Sequence, residues 1–74
     1  SGTQRVIGYL LREGLGDGEE VTLHASKAVV ASRLNLTPEH FSRILHDLTE
    51  HGFIEVHGRG ITILDSAKLR EYRK

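Results

Sequence analysis

The run from Thr37 to Val56, TPEHFSRILHDLTEHGFIEV, leaves the chain little freedom. It specifies where a helix starts, where it stops, and a direct handover to an extended strand. Thr37 is a strong N-cap residue. Pro38 suits the first helical position, where its missing N–H would have had no partner. Gly52 suits the residue just past the end, where a positive φ is needed. Phe41, Ile44, Leu45 and Leu48 fall at i, i+3, i+4 and i+7, which makes one apolar face. At 100° per residue, Glu39, Ser42, Arg43 and His46 point the other way. A helix from Pro38 to about His51 is therefore seated by one face and leaves the other to read something.

The flanking segments fit around it. Val6, Ile7, Leu10 and Leu11 predict a helix over Gln4–Glu13, which the glycines of GLGDG at 14–18 then break. Glu20 to His24 alternates in polarity and predicts a short strand. Ser26 caps a second helix over Lys27–Leu34 that buries Val30, Ala31 and Leu34, and Asn35 tolerates the positive φ of a tight turn into the Thr37 cap. Phe53–Val56 and Ile61–Leu64 flank HGRG at 57–60, a β-hairpin with glycines placed for a tight turn. Asp65 or Ser66 caps a last short helix ending near Tyr72.

Seventy-four residues make one small domain, and the expected organisation is residues 3–74 behind a Ser1-Gly2 expression remnant. With no cysteine, disulfides and thiolate metal sites are ruled out and a reducing compartment is permitted. No apolar run approaches the length of a membrane span, so no membrane partner is expected. Ten basic and ten acidic residues cancel. Their distribution is uneven: Lys27, Arg33 and Arg43 face only Glu39 between residues 26 and 46, with His40 and His46 in reserve, whereas acids lead in residues 1–25. The middle of the chain weakly favours an anion.

Two helices joined by a short turn and followed directly by a hairpin make a winged helix-turn-helix, an α+β fold of three main helices and a C-terminal wing. A DNA major groove, about 12 Å wide, admits one helix whose exposed N-terminal half reaches base edges. Helix N-termini offer backbone N–H groups to phosphates, and a glycine-containing wing tip can approach the neighbouring groove. Over Ser26-Lys27 and LNLTPEHFSRILHDLTEHGFIEVHGRGITILD from Leu34 to Asp65, and more loosely from Gln4 onward, the sequence resembles the C-terminal DNA-binding domain of the bacterial Crp/Fnr regulators, the cyclic-AMP receptor protein group.

The resemblance implies roles for particular residues. Glu39 and Arg43 match side chains that read bases in the major groove, the Arg commonly on guanine; Ser42 and His46 share that face. Ser26, Lys27 and Thr37, with His40, fall beside the phosphate backbone, as do His57 and Arg59 of the wing. Many members carry Arg where this chain has Pro38. One guanine-reading side chain is thereby lost, and the receptor protein's own DNA site is not expected to carry over. The family further implies an N-terminal domain binding a cyclic nucleotide or other effector, a homodimer on a near-palindromic site, RNA polymerase as a further partner, and a cytoplasmic transcription regulator. This fragment itself is expected to hold no cofactor.

Other classes find less support. His40, His46 and His51 are separated by six and five residues, which misses the i, i+4 spacing of a helical zinc pair. There is no nucleophile–base–acid set and no phosphate-binding glycine motif at a strand–helix junction, so no enzyme is expected. Glu39 and Arg43 also form an i, i+4 pair that would support any helix. The serious alternative is a winged helix used only to bind protein; such a module should expose apolar residues on the third helix. Sequence-specific binding of double-stranded DNA is the favoured reading.

Overall fold

A computed structural model describes residues 1–14, 17–18, 20–23 and 25–72. The elements run α1 (Gly2–Glu13), β1 (Glu20–Thr22), α2 (Lys27–Arg33), α3 (Pro38–Glu50), β2 (Ile54–His57), β3 (Gly60–Ile63) and α4 (Ser66–Glu71). His24, expected to end the first strand, and the Leu15-Gly16 part of the glycine-rich loop lie outside the described residues. Helix α1 begins two residues before the expected Gln4: the Ser1 side chain caps it by accepting from the Gln4 N–H, and Gly2 is already helical.

Helices α2 and α3 end by the same device. At the end of α2, the Leu36 N–H donates to Ala31 O and the Asn35 N–H to Ser32 O, with Asn35 at φ 64°. At the end of α3, the Phe53 N–H donates to Leu48 O and the Gly52 N–H to Thr49 O, with Gly52 at φ 76°. Each is the paired 6→1 and 5→2 closure that a left-handed residue permits. The sequence carries the required residue type in both places.

Beyond the expected hairpin, β1 joins it to make an antiparallel sheet of order β1-β3-β2. Val21 lies opposite Ile61, which lies opposite Val56, while Ile54 faces Ile63. Those residues turn one sheet face to the core. The other face carries the cross-strand row Glu20–Thr62–Glu55 to solvent. His57 and Gly60 pair in the ladder, so the wing tip is the two-residue loop Gly58-Arg59, with Gly58 at φ 59° as a glycine-first hairpin turn requires. Leu23 donates its N–H to Arg59 O (3.0 Å), which ties the wing tip to the segment after β1.

The core is continuous across these elements. Val6, Ile7 and Leu10 of α1, Val30 and Ala31 of α2, Phe41, Ile44, Leu45 and Leu48 of α3, and Leu69 of α4 meet the inward sheet residues. Leu34, expected in the core, is only half-buried, as are Phe53, Tyr9 and Tyr72, all packed against it. No polar side chain is buried among the described residues.

A polar tie fixes the start of α4. The Ser66 side chain and its backbone N–H (2.7 Å to Oδ1) hydrogen-bond Asp17 and hold its carboxyl below the ordinary carboxylate range. A depressed folded value favours the carboxylate in the folded chain. The stabilisation is therefore complete above the unfolded value and is lost as pH falls through the lower folded one. Asp17→Asn should accordingly lose less of its urea midpoint than the unaltered chain between about pH 5 and about pH 2, a range that brackets the unfolded carboxyl.

Candidate nucleic-acid interface

The exposed surface of α3 follows from its seating. With Phe41, Ile44, Leu45 and Leu48 buried, the residues Glu39, His40, Ser42, Arg43, His46, Thr49 and Glu50 face solvent. Apart from Pro38 at its first position, no apolar residue of α3 is exposed. Thr37 Oγ1 accepts from the His40 N–H (3.1 Å), fixing the first turn, and Ser26 Oγ does the same for α2 through the Val29 N–H (3.3 Å). Each hydroxyl oxygen is thereby used as an acceptor while its own hydrogen remains available to a further acceptor. Because Pro38 has no N–H and Thr37 takes that of His40, the first turn of α3 offers chiefly the Glu39 N–H to an outside acceptor.

Two shallow recesses flank the ridge of α3. One, of about 250 Å³, is lined by Lys27 of α2, by Ser42, Leu45, His46 and Thr49 of α3, and by Val56 of β2. It brings together three residues singled out in the sequence, Lys27, Ser42 and His46. The other, of about 310 Å³, gathers His40, Arg43 and His46 with Thr3 of α1 and with Asp47 and Glu50. His46 stands between them and belongs to both. Glu39, Ser26 and Thr37 line neither recess, and His57 and Arg59 lie apart at the wing.

The ion pairs differ from the simplest helical expectation. Among the described residues, neither Glu39 nor Arg43 makes an ion pair or side-chain hydrogen bond, so the i, i+4 pairing open to them is not formed. Instead His46 Nε2 lies 3.2 Å from Glu50 Oε1. His57 Nε2 lies 3.3 Å from Glu55 Oε1, so the wing imidazole already has an acidic neighbour on its own strand. Lys27, Arg43 and Arg59 are matched in number by Glu39, Glu50 and Glu55, and the three imidazoles of His40, His46 and His57 add positive charge only when protonated.

A described feature absent from the sequence reading lies at the far end of α3. His51 stacks on Phe53 with centroids 5.3 Å apart and meets Tyr72 at 4.9 Å. Its Nδ1 lies 2.9 Å from Asp47 O, while Tyr72 Oη donates to Asp47 Oδ2 at 2.9 Å. Burial first, and then this hydrogen bond and the Asp47 charge, push the Tyr72 phenol above its ordinary range, so it stays a donor. Among the described residues no group of three or more metal-binding side chains comes together.

The profile of the Crp-like helix-turn-helix domain matches residues 4–72. The chain belongs to that family. Similar solved structures include DNR from Pseudomonas aeruginosa, 39% identical over 97% of this chain and 33% of that one, with a TM-score of 0.84. FixK2 from Bradyrhizobium japonicum is 27% identical over 96% of this chain and 37% of that one, also at 0.84. A CooA variant from Carboxydothermus hydrogenoformans is 26% identical over 96% of this chain and 36% of that one, at 0.86. The chain thus spans about a third of the length of each. No curated protein matches it. CooA is a CO-dependent transcription factor, and Crp-like helix-turn-helix domains belong to transcription regulators, not to enzymes. Within the Crp-like frame α2 and α3 are the helix-turn-helix and β2–β3 is the wing.

Proposed function

We propose that this Crp-like domain binds double-stranded DNA sequence-specifically, with α3 in the major groove and the Gly58-Arg59 wing tip near the backbone. The observation that carries the reading is the exposed face of α3, on which Glu39 and Arg43 stand unengaged over a fully apolar opposite face. Glu39 and His46 are seven steps apart, or about 10 Å of helix, close to the rise of three base pairs. In this reading Glu39, Ser42, Arg43 and His46 address base edges. Ser26, Lys27, Thr37, His40, His57 and Arg59 address the backbone, Lys27 and Arg59 as full charges and His57 only after release from Glu55.

The alternative, a module that binds only protein, is disfavoured by where apolar surface lies. The large exposed apolar side chains among the described residues are Val29 and Leu64, and neither is on α3. The whole regulator, of which the similar chains suggest this is about a third, would be a cytoplasmic dimer on two half-sites with a separate effector domain, able to meet RNA polymerase at a promoter.

Selection of bound sequences from random duplex DNA tests the reading. We expect an enriched half-site of a few base pairs. With Lys27 and Arg59 on phosphates, log K should fall with log salt at a slope of about −2, near 0.9 per phosphate. An absence of enrichment together with salt-independent binding would favour the protein-binding module.

A further inference from the structure

Two consecutive residues of α1 reach the two ends of α3. At the N-terminal end, Arg5 Nη1 donates to Leu34 O (2.9 Å) and to Asn35 O (3.4 Å), the carbonyls of the turn between α2 and α3. At the C-terminal end, Gln4 Nε2 donates to Tyr72 O (2.6 Å), and Tyr72 Oη donates to Asp47 Oδ2 of α3 (2.9 Å).

Among the described residues, the turn leaves Arg5 carbonyls that no backbone N–H takes. Val30 O and Ala31 O accept from the Leu34 N–H, Ala31 O also accepts from Leu36, and Ser32 O accepts from Asn35. The next three carbonyls in line, those of Arg33, Leu34 and Asn35, receive no backbone donor outside the helices among the described residues, and Arg5 takes the last two. Asn35 is the one non-glycine residue with positive φ among those described. Its peptide orientation decides where Leu36 and the Thr37 cap point, and hence the angle at which α3 leaves the turn. A guanidinium has several donors in one plane and can hold two neighbouring carbonyls at once; it also places positive charge at the C-terminal end of a helix.

We infer that Arg5 is a positioning residue for DNA reading: with the Gln4–Tyr72–Asp47 chain at the other end, it fixes α3 relative to α1 without touching DNA. This rests on the DNA-binding reading above. Core packing alone leaves a helix some freedom to roll and tilt on its apolar stripe, and polar ties at both ends remove it. Base readout is the function most sensitive to that freedom, because bidentate contacts tolerate little misplacement.

The test uses Arg5→Gln, Arg5→Lys and Tyr72→Phe in this chain, at a temperature where melting curves show each fully folded. The probes are the duplex that the unaltered chain selects from a random pool and a scrambled duplex of equal length. Arg5→Gln should lower affinity for the selected duplex about tenfold, the equivalent of one hydrogen bond to a charged donor, with scrambled binding unchanged. Arg5→Lys, which keeps the charge and loses the fork, should fall between. Tyr72→Phe keeps the ring contacts and should lower the same ratio by a smaller factor. A residue that merely stabilises the fold would lower the melting temperature and leave the ratio alone, and that result in Arg5→Gln overturns the inference. If the unaltered chain does not discriminate between the duplexes, the DNA-binding reading fails separately. Amide exchange without DNA then decides for Arg5: faster exchange at Asn35 and Leu36 with the Leu45 amide unchanged supports the tie, and unchanged exchange at the turn overturns it.

Discussion

Phe41→Ala is expected to cost about 3–5 kcal/mol and to bring the domain to the edge of unfolding at 25 °C. Phe41 is fully buried and is the largest such side chain. It sits one turn into α3, between the Thr37 cap and the Ile44–Leu45 pair, so the cavity would open under the end of the helix that carries Glu39 and Arg43. A domain of this size has a total stability of about 4–11 kcal/mol, scaled at the usual amount per residue, and one such cavity uses much of it. A urea melt followed by circular dichroism checks the result. A midpoint close to that of the unaltered chain would mean that α3 is not seated by this stripe.

The second large effect concerns specificity. Arg43→Lys keeps the charge but replaces a planar fork by a point donor, so the two hydrogen bonds to guanine O6 and N7 cannot both be made. Discrimination at one guanine should fall by about 1–3 kcal/mol while binding to unrelated duplexes persists. Arg43 makes no ion pair with Glu39 among the described residues, so none has to be broken before it enters the groove. Glu39, one turn earlier, remains free to accept from a cytosine amino group. Competition between the selected duplex and its single-base variants measures the change. Equal base preference in the two proteins would remove Arg43 from direct readout and leave it as a backbone contact.

These two experiments address opposite faces of one helix, and both faces were legible in the sequence. The buried set Phe41, Ile44, Leu45 and Leu48 and the exposed set Glu39, Ser42, Arg43 and His46 follow from a period of 3.6 residues and nothing else. The Thr37 and Ser26 caps, the tight turns at Asn35 and Gly52, and a wing turn containing glycine were legible too, from residue type. Each depends on residues within about five positions of one another, and short-range chemistry is what residue types encode.

Charge pairing already escapes such rules. By spacing alone, Glu39–Arg43 and His46–Glu50 are equivalent i, i+4 pairs, yet only the second is formed. The choice between exposed rotamers of long side chains turns on small energies that no pattern records. Its consequence is that the two residues matched to base reading stand open, while His46 carries an acidic companion.

What the sequence by itself determined was therefore the list of elements, the caps of α2 and α3, and the faces those helices bury and expose. The tertiary structure alone decided how they are joined. Pairing of β1 with β3 brings Val21 against Ile61 and turns an expected hairpin into a three-stranded sheet, a contact across forty positions with no local signal. Arg5 reaching Leu34 and Asn35, and Gln4 reaching Tyr72, are contacts of the same kind. Periodicity reports which way a side chain points relative to its own element. Only burial of the whole apolar surface in one core brings distant elements together, and the polar partners at their edges are set by that arrangement.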